Sequence, residues 1–136
     1  IRTEEIGMLA SKVSRLPEVR KTLLAIQRQA ASLGDIVAEG RDMGTVVFPW
    51  AEVKFFLDAS VEERVKRRYR ELIFRGEEGV DRKAIRESIL TRDRQDMARS
   101  LAPLKPHPEA IIIDTSNLSV DEVVEKMLTF IRERQI

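Results

Sequence analysis

Short, wholly apolar runs alternate along the chain with longer segments whose apolar residues recur every three or four positions, which predicts an α/β protein. Residues 4–14 read as a helix with Ile6, Leu9, Ala10 and Val13 on one face. Pro17 suits the first turn of a second helix reaching about Leu33, with Val19, Leu23, Leu24 and Ile26 apolar and Gly34 as its stop. Asp35–Glu39, Val53–Asp58 and Ala110–Asp114 read as strands. Ser60-Val61-Glu62-Glu63 and Ser119-Val120-Asp121-Glu122 are capping boxes, opening helices that run to about Phe74 and through Ile131. Arg82–Arg99 reads as a long helix ended by the proline-rich Ala102–Pro108. Between Arg75 and Val80, Gly76 and Gly79 predict a mobile loop. Strands that are apolar throughout imply a parallel sheet covered on both faces.

Charge narrows the function classes. Basic residues number 24 and acidic residues 23, so a net charge of +1 gives no general attraction to nucleic acid or an anionic membrane. One Trp, one Tyr and five Phe are too few for an evident base-stacking platform. There is no cysteine, and the only histidine, His107, sits between Pro106 and Pro108, so neither thiolate chemistry nor a His/Cys metal site is expected. No run approaches the roughly 20 apolar residues that span a bilayer. No signal peptide is visible, and a cytoplasmic location is expected. The chain opens at Ile1 in mid-pattern and reads as part of a longer protein.

Three groups stand out chemically. Arg41-Asp42, bracketed by Gly40 and Gly44, follows the Ile36 strand, where open α/β sheets place ligands. The pair suits phosphate or base recognition, and equally an ordinary surface ion pair. Arg92, Asp96 and Arg99 share one helical face and continue the stripe of Ile85 and Ile89. They suit a phosphate and a sugar hydroxyl, or simple i,i+3 and i,i+4 ion pairs beside a rival stripe of Leu90, Met97 and Leu101. The run Arg64, Lys66, Arg67, Arg68, Arg70 with Arg75 suits nucleotide phosphates, a solvated amphipathic helix or a nucleic-acid surface, the last disfavoured by the near-neutral net charge and the few aromatics. Ser11 and Arg20 carry no meaning by themselves, and Trp50 reads as a half-buried boundary residue.

The glycines at 7, 34, 40, 44, 76 and 79 form no G-x-x-x-x-G-K-[ST] loop. Such a loop cradles donor phosphates with backbone N–H groups and a lysine. These residues therefore offer acceptor-side groups without a donor cradle.

The ordered set Arg2-Thr3-Glu4-Glu5, Ala10-Ser11-Lys12-Val13, Pro17-Glu18-Val19-Arg20, Gly40-Arg41-Asp42-Met43-Gly44-Thr45-Val46-Val47-Phe48-Pro49, Phe56-Leu57-Asp58-Ala59-Ser60, Arg92-Asp93-Arg94-Gln95-Asp96 and Ala102-Pro103-Leu104 closely resembles the C-terminal portion of bacterial cytidylate kinases. The resemblance implies part of a P-loop NTPase-like parallel sheet flanked by helices, with the phosphate-loop strand outside the chain. In that fold the strand lies between those at Ile36 and Val53, and its loss leaves unpaired edges. Residues 1–136 are then a single incomplete domain, with 1–33 as helices of the CMP-binding side and 34–136 as a core portion carrying a lid near 75–80.

The implied reaction transfers the ATP γ-phosphoryl group to CMP or dCMP, with Mg²⁺ accompanying ATP and no protein metal ligand identified. Position by position, the resemblance puts Ser11, Arg20 and Asp42 at the cytosine ring. Arg92 and Asp96 fall at the ribose end, Arg41 and Arg99 on the phosphate, and Arg67 at the adenine end of ATP. Arg41, Arg92 and Arg99 form the catalytic group, which positions substrate and neutralises charge. No nucleic acid or membrane partner is implied. A missing N-terminal segment or a partner strand completes the sheet, and the 136 residues alone are expected to be inactive. The alternative is a non-catalytic CMP-binding or assembly module that needs a partner.

Overall fold

The structure is a computed structural model that describes residues 3–134. It resolves into two compact units. One contains the residues up to Ala51 and Thr91–Lys105, and the other contains Glu52–Leu90 and the residues from Pro106 onward.

In the first unit, α1 (Glu4–Val13) is capped by Thr3, whose side-chain oxygen accepts the Ile6 N–H at 3.3 Å. Helix α2 (Pro17–Ala31) carries proline in its first turn, where the missing N–H costs nothing. The expected strand Asp35–Glu39 does not form. Among the described residues no strand lies beside it, and none of its backbone groups joins a ladder. Val37 is consequently 101% exposed. An apolar run becomes a strand only when a neighbour takes its N–H and C=O groups. Met43–Val47 is instead a single π-helical turn, with the N–H groups of Val46 and Val47 both on the Asp42 carbonyl at 2.9 and 3.2 Å. Val47 and Phe48 are buried.

The second unit holds the sheet. Strand β1 (Phe55–Asp58) pairs parallel with β2 (Ile111–Asp114), Phe55 opposite Ile111 and Asp58 opposite Asp114. Both strands are shorter than the apolar runs that predict them. The expected cover on both faces is incomplete among the described residues: Ile113 is buried, but Leu57 and Ile112 are 52% and 62% exposed. Helix α3 (Val61–Phe74) starts at Ser60, whose hydroxyl accepts the Glu63 N–H. It stops at Gly76, with φ +76°, where Gly76 N–H returns to the Ile73 carbonyl and Glu77 N–H to that of Leu72. That 5→2 and 6→1 pairing is a Schellman ending and needs a left-handed residue. Val65, Leu72 and Ile85 form a buried cluster, joined by Val61, Tyr69, Val80 and Ile89.

Helix α4 (Arg82–Met97) begins in this unit and supplies the first unit from Thr91 onward. It ends two residues before the expected Arg99. Ala102 then takes φ +49°, and the Leu104 N–H returns to the Asp96 carbonyl at 2.9 Å.

Helix α5 (Val120–Arg134) shows the reciprocal capping box, with Glu122 N–H on the Ser119 hydroxyl at 3.2 Å and Ser119 N–H on Glu122 Oε2 at 2.7 Å. The Ser119 backbone N–H, then its hydroxyl, holds the Glu122 carboxyl below its ordinary 4.5. A depressed carboxyl stabilises the fold above its unfolded value and loses that contribution as pH falls through the folded one. The protection of the first-turn amides of α5, taken relative to their intrinsic exchange rates, is therefore expected to fall as pH drops below 4.5. Glu122→Gln should remove that acid-dependent component.

Candidate functional site: an arginine-rich cavity

A cavity of about 600 Å³ lies within the first unit. Ser11 of α1, Arg20 of α2, Arg41 and Asp42 before the π-turn, Arg92 of α4 and Arg99 just after α4 all line it. The chain thus gathers at one place residues that are separated by up to 88 positions.

Two carboxylates organise the guanidiniums. Arg20 pairs with Asp42 Oδ2 and also donates to the Ser14 carbonyl at 3.2 Å. Asp96 lies behind the wall, 0% exposed; its Oδ1 accepts from Arg99, while its Oδ2 is ion-paired with Arg41 at 2.6 Å but has no hydrogen-bond partner. Arg99 also reaches the buried Ser11 hydroxyl at 3.4 Å. Arg99 and Asp96 form the i,i+3 pair that their spacing allows. The Arg41 contact is one that spacing does not disclose.

Arg92 differs from the others. Among the described residues it has no ion pair; its buried Nε, like that of Arg99, has no hydrogen-bond partner. Counting Lys21 and Glu18, cations in the lining and behind it outnumber carboxylates by two. A cavity with two surplus positive charges and one unengaged planar fork is suited to a dianion such as a phosphate monoester.

Arg67, expected at a different end of the ligand, belongs to the second unit. There it pairs with Glu63 at 3.0 Å and donates to the Thr115 hydroxyl and carbonyl at 3.0 and 2.6 Å. Four of the six cations of the α3 run are ion-paired locally: Lys66 and Arg67 share Glu63, and Arg68 and Arg75 share Glu71. Trp50 is 61% exposed, more open than the boundary position expected of it. Among the described residues no three His, Cys, Asp or Glu side chains cluster to hold a metal, and no helix is long and apolar enough to cross a membrane. A magnesium ion carried by nucleotide phosphates keeps much of its coordination on phosphate and water, so it needs no such cluster.

Sequence reasoning missed Arg28, which grips the π-turn, and missed Leu24 and Gln27, which line the cavity. The available signal for Arg28 was a basic residue in the last turn of α2.

The chain is an α/β protein with parallel strands and flanking helices, and it carries a cavity rich in cations. Residues 1–133 match the cytidylate kinase family, and the chain belongs to it. It is 52% identical to the cytidylate kinase of Geobacter sp. (strain M21), over 98% of this chain and 57% of that protein. It is 49% identical to that of Vibrio cholerae serotype O1, over 100% and 60%, and 52% identical to that of Thermosipho melanesiensis, over 98% and 61%. The chain thus spans about three fifths of the length of these relatives.

Proposed function

We propose that the cavity binds CMP or dCMP as the acceptor of the γ-phosphoryl group of ATP. The observation that carries this reading is Arg92, an unengaged guanidinium in a wall with surplus positive charge, facing the same space as the pinned carboxylate of Asp42. Asp42, fixed by Arg20, accepts a hydrogen bond from the exocyclic amine of cytosine, and Ser11 adds a hydroxyl at the ring. Arg41 and Arg99, held by Asp96, clamp the acceptor phosphate, and Arg92 reaches it or the adjoining sugar. The Asp96 carboxylate serves the sugar end when a ligand draws one arginine away.

In the reaction an oxygen of the CMP phosphate forms a bond to the γ-phosphorus while the bond to the β–γ bridging oxygen of ATP breaks. ADP leaves with the electron pair. This transfer needs alignment and charge neutralisation more than covalent help. The arginines supply both on the acceptor side. Arg67 lies toward adenine, the Gly76–Val80 loop closes as a lid, and Mg²⁺ arrives with ATP. Lacking a G-x-x-x-x-G-K-[ST] loop, these 136 residues by themselves bind the acceptor without turning it over.

Arg92→Met separates phosphate recognition from base recognition. Affinity for CMP is expected to fall about 30-fold, the scale of hydrogen bonds to a charged group, with affinity for cytidine unchanged. Calorimetric titration with both ligands measures this. Undiminished CMP affinity would contradict the assignment.

A further inference from the structure

Arg28 does not line the cavity, yet it grips the segment that carries Asp42. From the last turn of α2 its Nε donates to the Val47 carbonyl at 3.0 Å and its Nη2 to the Val46 carbonyl at 2.9 Å. These carbonyls close the π-turn, where helical geometry leaves them without donors of their own. The same guanidinium lies over the Trp50 ring, 5.0 Å from its centroid, and Phe48 meets that ring edge-on at 6.0 Å.

Val46 and Val47 send their N–H groups to the Asp42 carbonyl. A path of two hydrogen bonds therefore joins Arg28 to the Asp42 backbone. The Asp42 carboxylate is held by Arg20, on the same helix about 12 Å nearer its start. Helix α2 thus holds Asp42 at both ends, side chain through Arg20 and main chain through Arg28.

We infer that Arg28 is a positioning residue for base selection, a role that rests on the assignment of Asp42 to the cytosine amine. A guanidinium presents donors side by side and can serve two successive carbonyls, whereas a lysine is a single point charge. A one-turn π-helix is uncommon and poorly propagated; burial of Val47 and Phe48 anchors this one, and Arg28 supplies the side-chain donors at its C-terminal carbonyls. Loosening its C-terminal end lets the Asp42 carbonyl, and with it the carboxylate, drift from the place the base requires.

The test compares CMP and UMP dissociation constants for the 136-residue chain and for Arg28→Ala, Arg28→Lys, Asp42→Ala and the Arg28→Ala/Asp42→Ala double variant. Amide exchange at Val46 and Val47 and thermal unfolding are measured alongside. Arg28→Ala is expected to reduce the CMP-over-UMP preference about fivefold, the value of one ordinary hydrogen bond, with Arg28→Lys in between. Exchange at both amides should rise about tenfold as the turn opens locally. In the double variant the preference should be no lower than in Asp42→Ala, because the two act on one interaction. A lowered Tm with preference and local exchange intact would make Arg28 a structural strap and overturn the inference. Preference lost in Asp42→Ala but kept in Arg28→Ala overturns Arg28 alone. Preference unaltered in Asp42→Ala overturns the base assignment and, with it, this role. If CMP does not bind, the proposed function fails, and so does the role that rests on it.

Discussion

Asp96→Ala is expected to lower the stability of the chain by about 3–5 kcal/mol, the cost of breaking a buried ion pair from one side. The carboxylate is wholly enclosed, and the Arg99 side chain beside it is only 9% exposed. Removing Asp96 leaves a guanidinium with no counter-charge and little water. Arg41, 37% exposed, recovers hydration and contributes less of the loss. Asp96 also stands in the last turn of α4, where a helix dipole disfavours an acidic group, so the arginines rather than the helix keep it in place. Asp96→Asn keeps the shape and one acceptor and should fall between. Urea unfolding gives both values. A loss under about 1 kcal/mol, the scale of an exposed pair, would mean that water replaces the carboxylate freely.

Asp42→Ala is expected to remove discrimination of CMP against UMP, a change of about 30-fold in relative affinity. Cytosine offers an amine to the carboxylate. Uracil offers a carbonyl oxygen at the same position, and two acceptors facing each other are left unsatisfied. Loss of the carboxylate should therefore weaken CMP while leaving UMP unchanged or tighter. Asp42→Asn goes further, since an amide can donate to the uracil oxygen and invert the preference. ATP affinity, measured in a polypeptide that carries the donor loop, should not follow. A competition titration in which both variants keep the original preference would count against Asp42 as the base-reading group.

The helices were legible because their signals are local. Ser60 and Ser119 cap where the sequence places caps, and Pro17 begins a helix for a steric reason that needs no partner. The strand at Asp35–Glu39 was misread for the opposite reason: its apolar run is local, but a ladder requires a neighbour, and none stands beside it among the described residues. At the site, helical spacing disclosed that Asp96 and Arg99 meet. It could not disclose Arg41 on the same carboxylate, nor Arg20 on Asp42, because those contacts depend on how α2 and α4 pack around the π-turn. The basic run of α3 shows the converse. Composition made it conspicuous, yet Glu63 and Glu71 between them pair with four of its six cations within about one turn.

In the proposed function one cavity in the first unit reads a cytosine at Asp42 and a phosphate at its arginines. Isothermal titration of the 136-residue chain with CMP and with UMP tests it most directly. The expected result is one CMP site, weakened by added salt, with UMP bound at least about tenfold less tightly, since only one of the two bases satisfies the carboxylate. Equal affinities for the two nucleotides, or no binding of CMP, would contradict it.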